Sequence, residues 1–216
     1  FIDVPRGSLH RHDLDAHQIS VTSQKTEDRS GLIVEWAKHQ DEVREAQRLR
    51  FDVFATEMGA RLKESLPGHD IDLFDDFCEH LIIRDAHSQQ VIGTYRVLTP
   101  AQAKRIGSTY SDLEFDLTRL RPYRERMVEL GRSCVHPAHR HGGVIMALWG
   151  ALAEFMVRNK LDVMIGCASI PMLHQGVVSG EVAASIWHQL KHTHLAGVED
   201  QVTPRLALPV EQWSIA

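Results

Sequence analysis

A chain of 216 residues with 43% hydrophobic and 25% charged side chains has the composition of one globular domain with a full core, which excludes fibrous and low-complexity classes. Its formal net charge of −5 argues against wholesale nucleic-acid binding, so an anionic partner must meet a local basic patch. The three cysteines, Cys78, Cys134 and Cys167, form no Cys-x-x-Cys and read as reduced thiols of a cytoplasmic protein. No apolar run approaches the roughly 18 residues that span a bilayer, and none opens the chain as a secretory leader would.

Residues 1–30 are polar and aperiodic and read as a mobile arm ahead of one domain over 31–216. Leu32–Trp36 reads as a first strand, and Gln40 to about Met58 as a helix with Val43, Ala46, Arg50, Val53 and Phe54 on one stripe. Arg50 on that apolar stripe requires an anionic partner, because an unpaired buried charge is too costly. The segment Glu64–Glu79 carries Glu64, Asp70, Asp72, Asp75, Asp76 and Glu79 with no Lys or Arg, and Pro67-Gly68 breaks it into a loop. Asp70 and Asp76 suit a solvated loop better than Asp72 and Asp75 do.

Strands are expected at His80–Asp85 and Val91–Leu98, then a short helix at Ala101–Ile106. Arg119, Arg121, Arg124 and Arg126 form a basic cluster before a strand at Met127–Val135. That strand embeds Glu129 and Arg132 among apolar residues. It ends at Pro137 and turns through His139-Arg140-His141-Gly142-Gly143 into a helix reaching about Asn159. Val144, Ile145, Leu148, Trp149, Leu152 and Met156 are its expected inward face. A strand at Asp162–Ser169 and a helix at Val182–Leu190 follow, so the order βαββ(α)βαβα predicts a mixed α/β domain.

The first N–H groups of a helix lack internal partners and its dipole favours anions. A basic, glycine-flanked helix start after a strand therefore suits a phosphate. The spacing matches neither a nucleotide phosphate loop nor a dinucleotide fingerprint, which leaves a phosphopantetheine or coenzyme A group as the better candidate. A structural turn is the plain alternative.

Several motifs together carry a family resemblance: Arg50-x-x-Val53-Phe54, Asp72-Leu73-Phe74-Asp75, Cys78-Glu79-His80-Leu81-Ile82, Gly93-Thr94-Tyr95-Arg96-Val97-Leu98, and Glu129 through Pro137. In this order they resemble acyl-homoserine-lactone synthases and, more closely, the bacterial L-ornithine N-alpha-acyltransferases that make lyso-ornithine lipid. The match covers roughly residues 32–175. Ala60 and Gly131 stand where the lactone synthases usually have Trp and Ser, which argues against lactone production. The ornithine family usually continues well past the point matching Ala216, so later residues are expected to contribute to its acceptor site.

The resemblance implies a Gcn5-related N-acetyltransferase fold, with a mixed central sheet flanked by helices. It implies transfer of a 3-hydroxyacyl chain from acyl carrier protein to the α-amine of ornithine, with no permanently bound cofactor and no metal. Glu129 and Arg132 become the catalytic pair, with Glu129 as general base. Val135, Arg140, His141, Gly142, Gly143 and Val144 would hold the donor's phosphopantetheine, and the strand Glu129–Val135 would splay from its neighbour. Arg50, Asp72, Asp75 and Arg96 would orient the acceptor. The acidic carrier protein would dock on Arg119, Arg121, Arg124 and Arg126. An apolar channel for the fatty chain is expected between the sheet and the helix from Gly143, and peripheral contact with the inner membrane would suit a lipid product.

Glu129 and Arg132 fall on opposite faces of a regular strand, so sharing one site requires a bulge between them. The plain alternative is an ion network of Arg50, Asp72, Asp75, Arg96, Glu129 and Arg132 that only ties the acidic loop to the sheet. Competing functions are an acyltransferase for another amino acid, a lactone-type synthase, and a non-catalytic acyl-thioester binding module. His80-x-x-x-x-Asp85 matches a glycerolipid acyltransferase pattern but flanks a strand. Cys134 lacks an activating pair, and His136, His139 and His141 show no recognised zinc spacing.

Overall fold

A computed structural model describes residues 26–27, 31–62, 66–170, 172–174 and 176–210. Its centre is a six-stranded sheet. β1 (Thr26–Glu27), β2 (Leu32–Trp36), β3 (Glu79–Asp85) and β4 (Val91–Leu98) pair antiparallel in sequence order. After the two-residue β5 (Phe115–Asp116), which stands outside this sheet, β6 (Met127–Val135) pairs antiparallel with β4 and β7 (Val163–Ile165) parallel with β6. The parallel pair needs a crossover, and α4 (Gly143–Arg158) supplies it. Thr26–Glu27 falls inside the stretch expected to be a mobile arm and instead extends the sheet. Residues 1–25 and 28–30 lie outside the described residues.

Alternation sends Leu81, Ile83, Val97, Val128 and Leu130 to one face, where Val144, Leu148, Leu152 and Phe155 of α4 cover them. Ile82, Val91 and Cys134 face the other way, onto Ala46, Leu49 and Val53. These come from α1 (Gln40–Phe51) and the π-helix Asp52–Glu57 that continues it. Gly93 lets α4 approach closely: a Cβ there would lie 2.5 Å from Val144 Cγ1. Ile145 and Trp149 of α4, expected inward, are exposed, and Phe155 is buried in their place. Because α4 is apolar on nearly every side, periodicity could not choose its inner face. The buried side chains of the two layers form the main core cluster between the sheet and α4.

Short elements border the site: α2 (Pro100–Ile106), α3 (Ser111–Glu114) and the 3₁₀ helices Thr118–Arg126 and Pro137–His139. Beyond β7 lie α5 (Glu181–His194), which extends further than expected, and three two-residue strands.

Candidate active site

The registers of β4 and β6 locate the required bulge. Arg96 faces Gly131 and Thr94 faces Cys134, so β6 spends one residue more than β4 over this span. Arg132 absorbs it with φ +52°, a left-handed conformation rare outside glycine, asparagine and aspartate. The insertion turns Arg132 to the side of the sheet where Glu129 lies. Both line a small cavity of about 40 Å³ with Phe74, Tyr110, Gly131 and Cys167. A water needs roughly 10–15 Å³ by this measure, so the cavity accommodates a water or a small ligand group.

Glu129 is buried, yet its carboxylate is held by neutral groups. It accepts backbone N–H bonds from Tyr110 at 2.7 Å and Ser111 at 2.6 Å, where α3 begins. That start is fixed by reciprocal bonds between Thr109 and Asp112: each backbone N–H donates to the other's side chain. Tyr110, Ser111 and Cys167 were not expected at the site. The signal for the first two was present as Thr109-x-x-Asp112, a capping-box pattern.

Arg50 lies fully buried beneath the cavity. Its Nε donates to Asp70 at 2.8 Å, and Nη1 and Nη2 grip Asp75 at 2.9 and 2.8 Å. Arg96 Nη1 joins Asp72 at 2.6 Å and Asp75 at 2.9 Å. Arg132 Nη2 reaches Asp72 at 3.1 Å, while its Nε lies 3.0 Å from Asp70 without hydrogen-bond alignment. Burial alone would raise the Asp75 carboxyl, but the charge and hydrogen bonds of Arg50 and the charge of Arg96 hold it below the usual carboxylate range.

Two expectations change here. Asp70, expected in solvent, is buried against Arg50. Arg50 and Asp75, expected to touch an acceptor, are enclosed and already engaged, so they brace the site from below. Asp72, Arg96 and Arg132 remain nearer its surface, but three arginine charges meet three aspartate charges in this cluster. Neighbouring His80 adds no charge near neutral pH, since burial pushes its imidazole down to about 4 against the pull of Asp75. Among the described residues Glu129 itself forms no ion pair, and its carboxyl group accepts from backbone N–H groups.

β6 stays paired with β7 only as far as Glu129–Ile165. Gly166 then passes so near Leu130 that a Cβ would stand 2.6 Å from its carbonyl oxygen. Beyond it, the β7-facing edge of β6 has no strand partner among the described residues. This edge leads to a second recess of about 290 Å³ lined by Ser133, Cys134, Val135, His139, Arg140, Gly142 and Ile145. Gly142 turns with φ +98°, and α4 opens at Gly143 with no side-chain cap on its first turn. Val144 is buried, so only its backbone faces the turn; His141 is exposed. Arg140 is already occupied: it donates to the Val135 carbonyl and forms a bidentate pair with Glu57 at 2.6 and 2.7 Å.

The basic cluster is also largely spoken for. Arg124 pairs with Asp112, Arg126 with Asp162, and Arg119 donates to the Val198 carbonyl, while Arg121 is exposed. The 3₁₀ helix thus presents less free positive charge than its sequence suggests. His80 and Asp85 stand at opposite ends of β3, which removes that pair as a catalytic unit. Burial pushes the Cys134 thiol up to about 12, which leaves it inert. Among the described residues no group of three or more His, Cys, Asp or Glu side chains is arranged to hold a metal ion.

A mixed sheet, a strand with a bulge and an unpaired edge, and a helix opening at its end now stand together. Residues 49–150 match the acetyltransferase (GNAT) domain family. The fold is that of the Gcn5-related N-acetyltransferases. An L-ornithine N(alpha)-acyltransferase of Rhodobacter capsulatus is 38% identical over 74% of this chain and 62% of its own. Its counterparts in Brucella abortus and Agrobacterium fabrum are 39% and 33% identical, over 66% and 76% of this chain and 56% and 62% of theirs. The chain thus spans about three fifths of the length of these curated relatives. Among solved structures, the acyl-homoserine-lactone synthase LasI aligns at 18% identity with a TM-score of 0.48, over 62% of this chain and 71% of that one. That distance carries nothing about chemistry.

Proposed function

We propose that this GNAT domain is the catalytic part of an N-acyltransferase that moves a 3-hydroxy fatty acyl group from acyl carrier protein to the α-amine of L-ornithine, giving lyso-ornithine lipid. The names of the relatives support this acceptor. The observation that supports the chemistry is the bulge at Arg132, which puts Glu129 and Arg132 in one cavity beside an unpaired strand edge. The donor's phosphate sits at the Gly142–Gly143 turn and its pantetheine arm runs along β6 toward Glu129. Glu129, which forms no ion pair among the described residues, attracts the acceptor's ammonium and takes its proton, directly or through a water. Its two backbone donors fix the carboxylate while leaving other lone pairs free. The amine nitrogen then attacks the thioester carbon, the C–N bond forms as C–S breaks, and the thiolate leaves with a proton.

The test is incubation with 3-hydroxyacyl carrier-protein thioester and a panel of amino acids, read by mass spectrometry. N-acyl ornithine is the expected product. Glu129→Gln should lower turnover by about two to four orders of magnitude with donor binding retained, and unchanged turnover removes Glu129 as the base. Tight thioester binding with no N-acyl product from any amino acid would make the domain a binding module instead.

A further inference from the structure

The donor turn holds one permanently charged cation, Arg140, and that charge is matched by a carboxylate from another element. Glu57 ends the π-helix that continues α1. A π-register inserts a residue into the helical frame and re-aims the side chains that follow, and such segments often stand at functional sites. Here the last of them meets Arg140, 83 residues later in the chain, through two parallel bonds. The pair is open to water, with side chains 43% and 38% exposed. Such a pair contributes little to stability and exchanges readily. Its remaining effect is on the local field: the turn offers an anion the N-terminus of α4, but its one permanent side-chain cation is already matched by a carboxylate.

Donors differ widely in charge. Pantetheine attached to a carrier protein presents a single phosphodiester with one negative charge, whereas coenzyme A brings a pyrophosphate and a further phosphomonoester. We propose that Glu57 is a specificity-determining residue that favours donors with one phosphodiester over coenzyme A, by cancelling Arg140 and repelling additional phosphate charge. This rests on the turn being the donor's phosphate site.

The experiment is a ladder of donors without the carrier protein: 3-hydroxyacyl pantetheine, 3-hydroxyacyl phosphopantetheine and 3-hydroxyacyl coenzyme A, each with the wild type and Glu57→Gln. The expected result is a gain in kcat/KM on Glu57→Gln that grows with donor charge. It should be absent for the uncharged donor and about two- to fivefold for coenzyme A, the scale of an exposed ion pair. The gain should sit in KM and fade at high salt. An equal change for all three donors signals a structural effect and overturns the proposal, as does no change for any of them when the phosphate itself improves KM in the wild type. If adding phosphate to pantetheine leaves the wild-type KM unaltered, the turn is not the phosphate site, and both the reading and this inference fall.

Discussion

Asp75 receives five hydrogen bonds, two from Arg50 and one each from Arg96, Gln47 and the Asp72 backbone. Removing its charge leaves Arg50 buried with half its partners gone, the situation in which a broken buried pair costs about 3–5 kcal/mol. Asp75→Asn should therefore lower the urea midpoint strongly, whereas Asp76→Asn, on the exposed neighbour, should move it hardly at all. Equal midpoints for the two variants would deny the network its bracing role. The sequence announced half of this arrangement. Arg50 on an apolar stripe demands an anion, but nothing in an aperiodic loop broken by Pro67-Gly68 says which carboxylate folds inward. Asp70 was misplaced for that reason. Gln47, also buried, gave no warning, because an uncharged polar side chain on a helix face usually points to water.

At the scale of elements, the succession of strands along the chain was legible, and so was the bulge, because period-2 alternation is violated visibly when Glu129 and Arg132 must meet. The π-helix was not: apolar spacing from Gln40 to Met58 reads as one α-helix, and a single inserted residue leaves no mark in composition. Nor was the inner face of α4. What fixes that helix is Gly93 of β4, against which Val144 packs. Gly93→Ala forces Val144 away and so shifts the first turn of α4, the part assigned to the donor's phosphate. Overpacking of this kind costs about 1–3 kcal/mol. The variant should also raise KM for the donor more than KM for the acceptor. Double substitution with Val144→Ala makes room for the new methyl and should recover donor KM; persistence of the defect would show that the helix start is positioned by something else.

For the molecule as a whole, the same buried cluster that organises the site makes folding sensitive to acid. His80 is enclosed with its Nε2–H donating to the Asp75 carbonyl and its Nδ1 without a partner. Burial, opposed by Asp75, lowers its pKa from 6.5 to about 4. Between those values the unfolded chain binds a proton that the folded protein refuses, so stability rises with pH across this window. His80's contribution is complete above about pH 6.5 and is lost as pH falls toward 4. A shift of this size corresponds to about 3 kcal/mol. Asp75 acts in the same direction but lower, below the ordinary carboxylate range, because its folded pKa is depressed as well. The two windows can thus be separated. Urea midpoints measured at pH 7.0 and 4.5 should fall sharply for the wild type, and by much less for His80→Gln, which can still donate to the Asp75 carbonyl but carries no titrating ring. Parallel losses in the two proteins would mean that acid sensitivity originates outside the cluster.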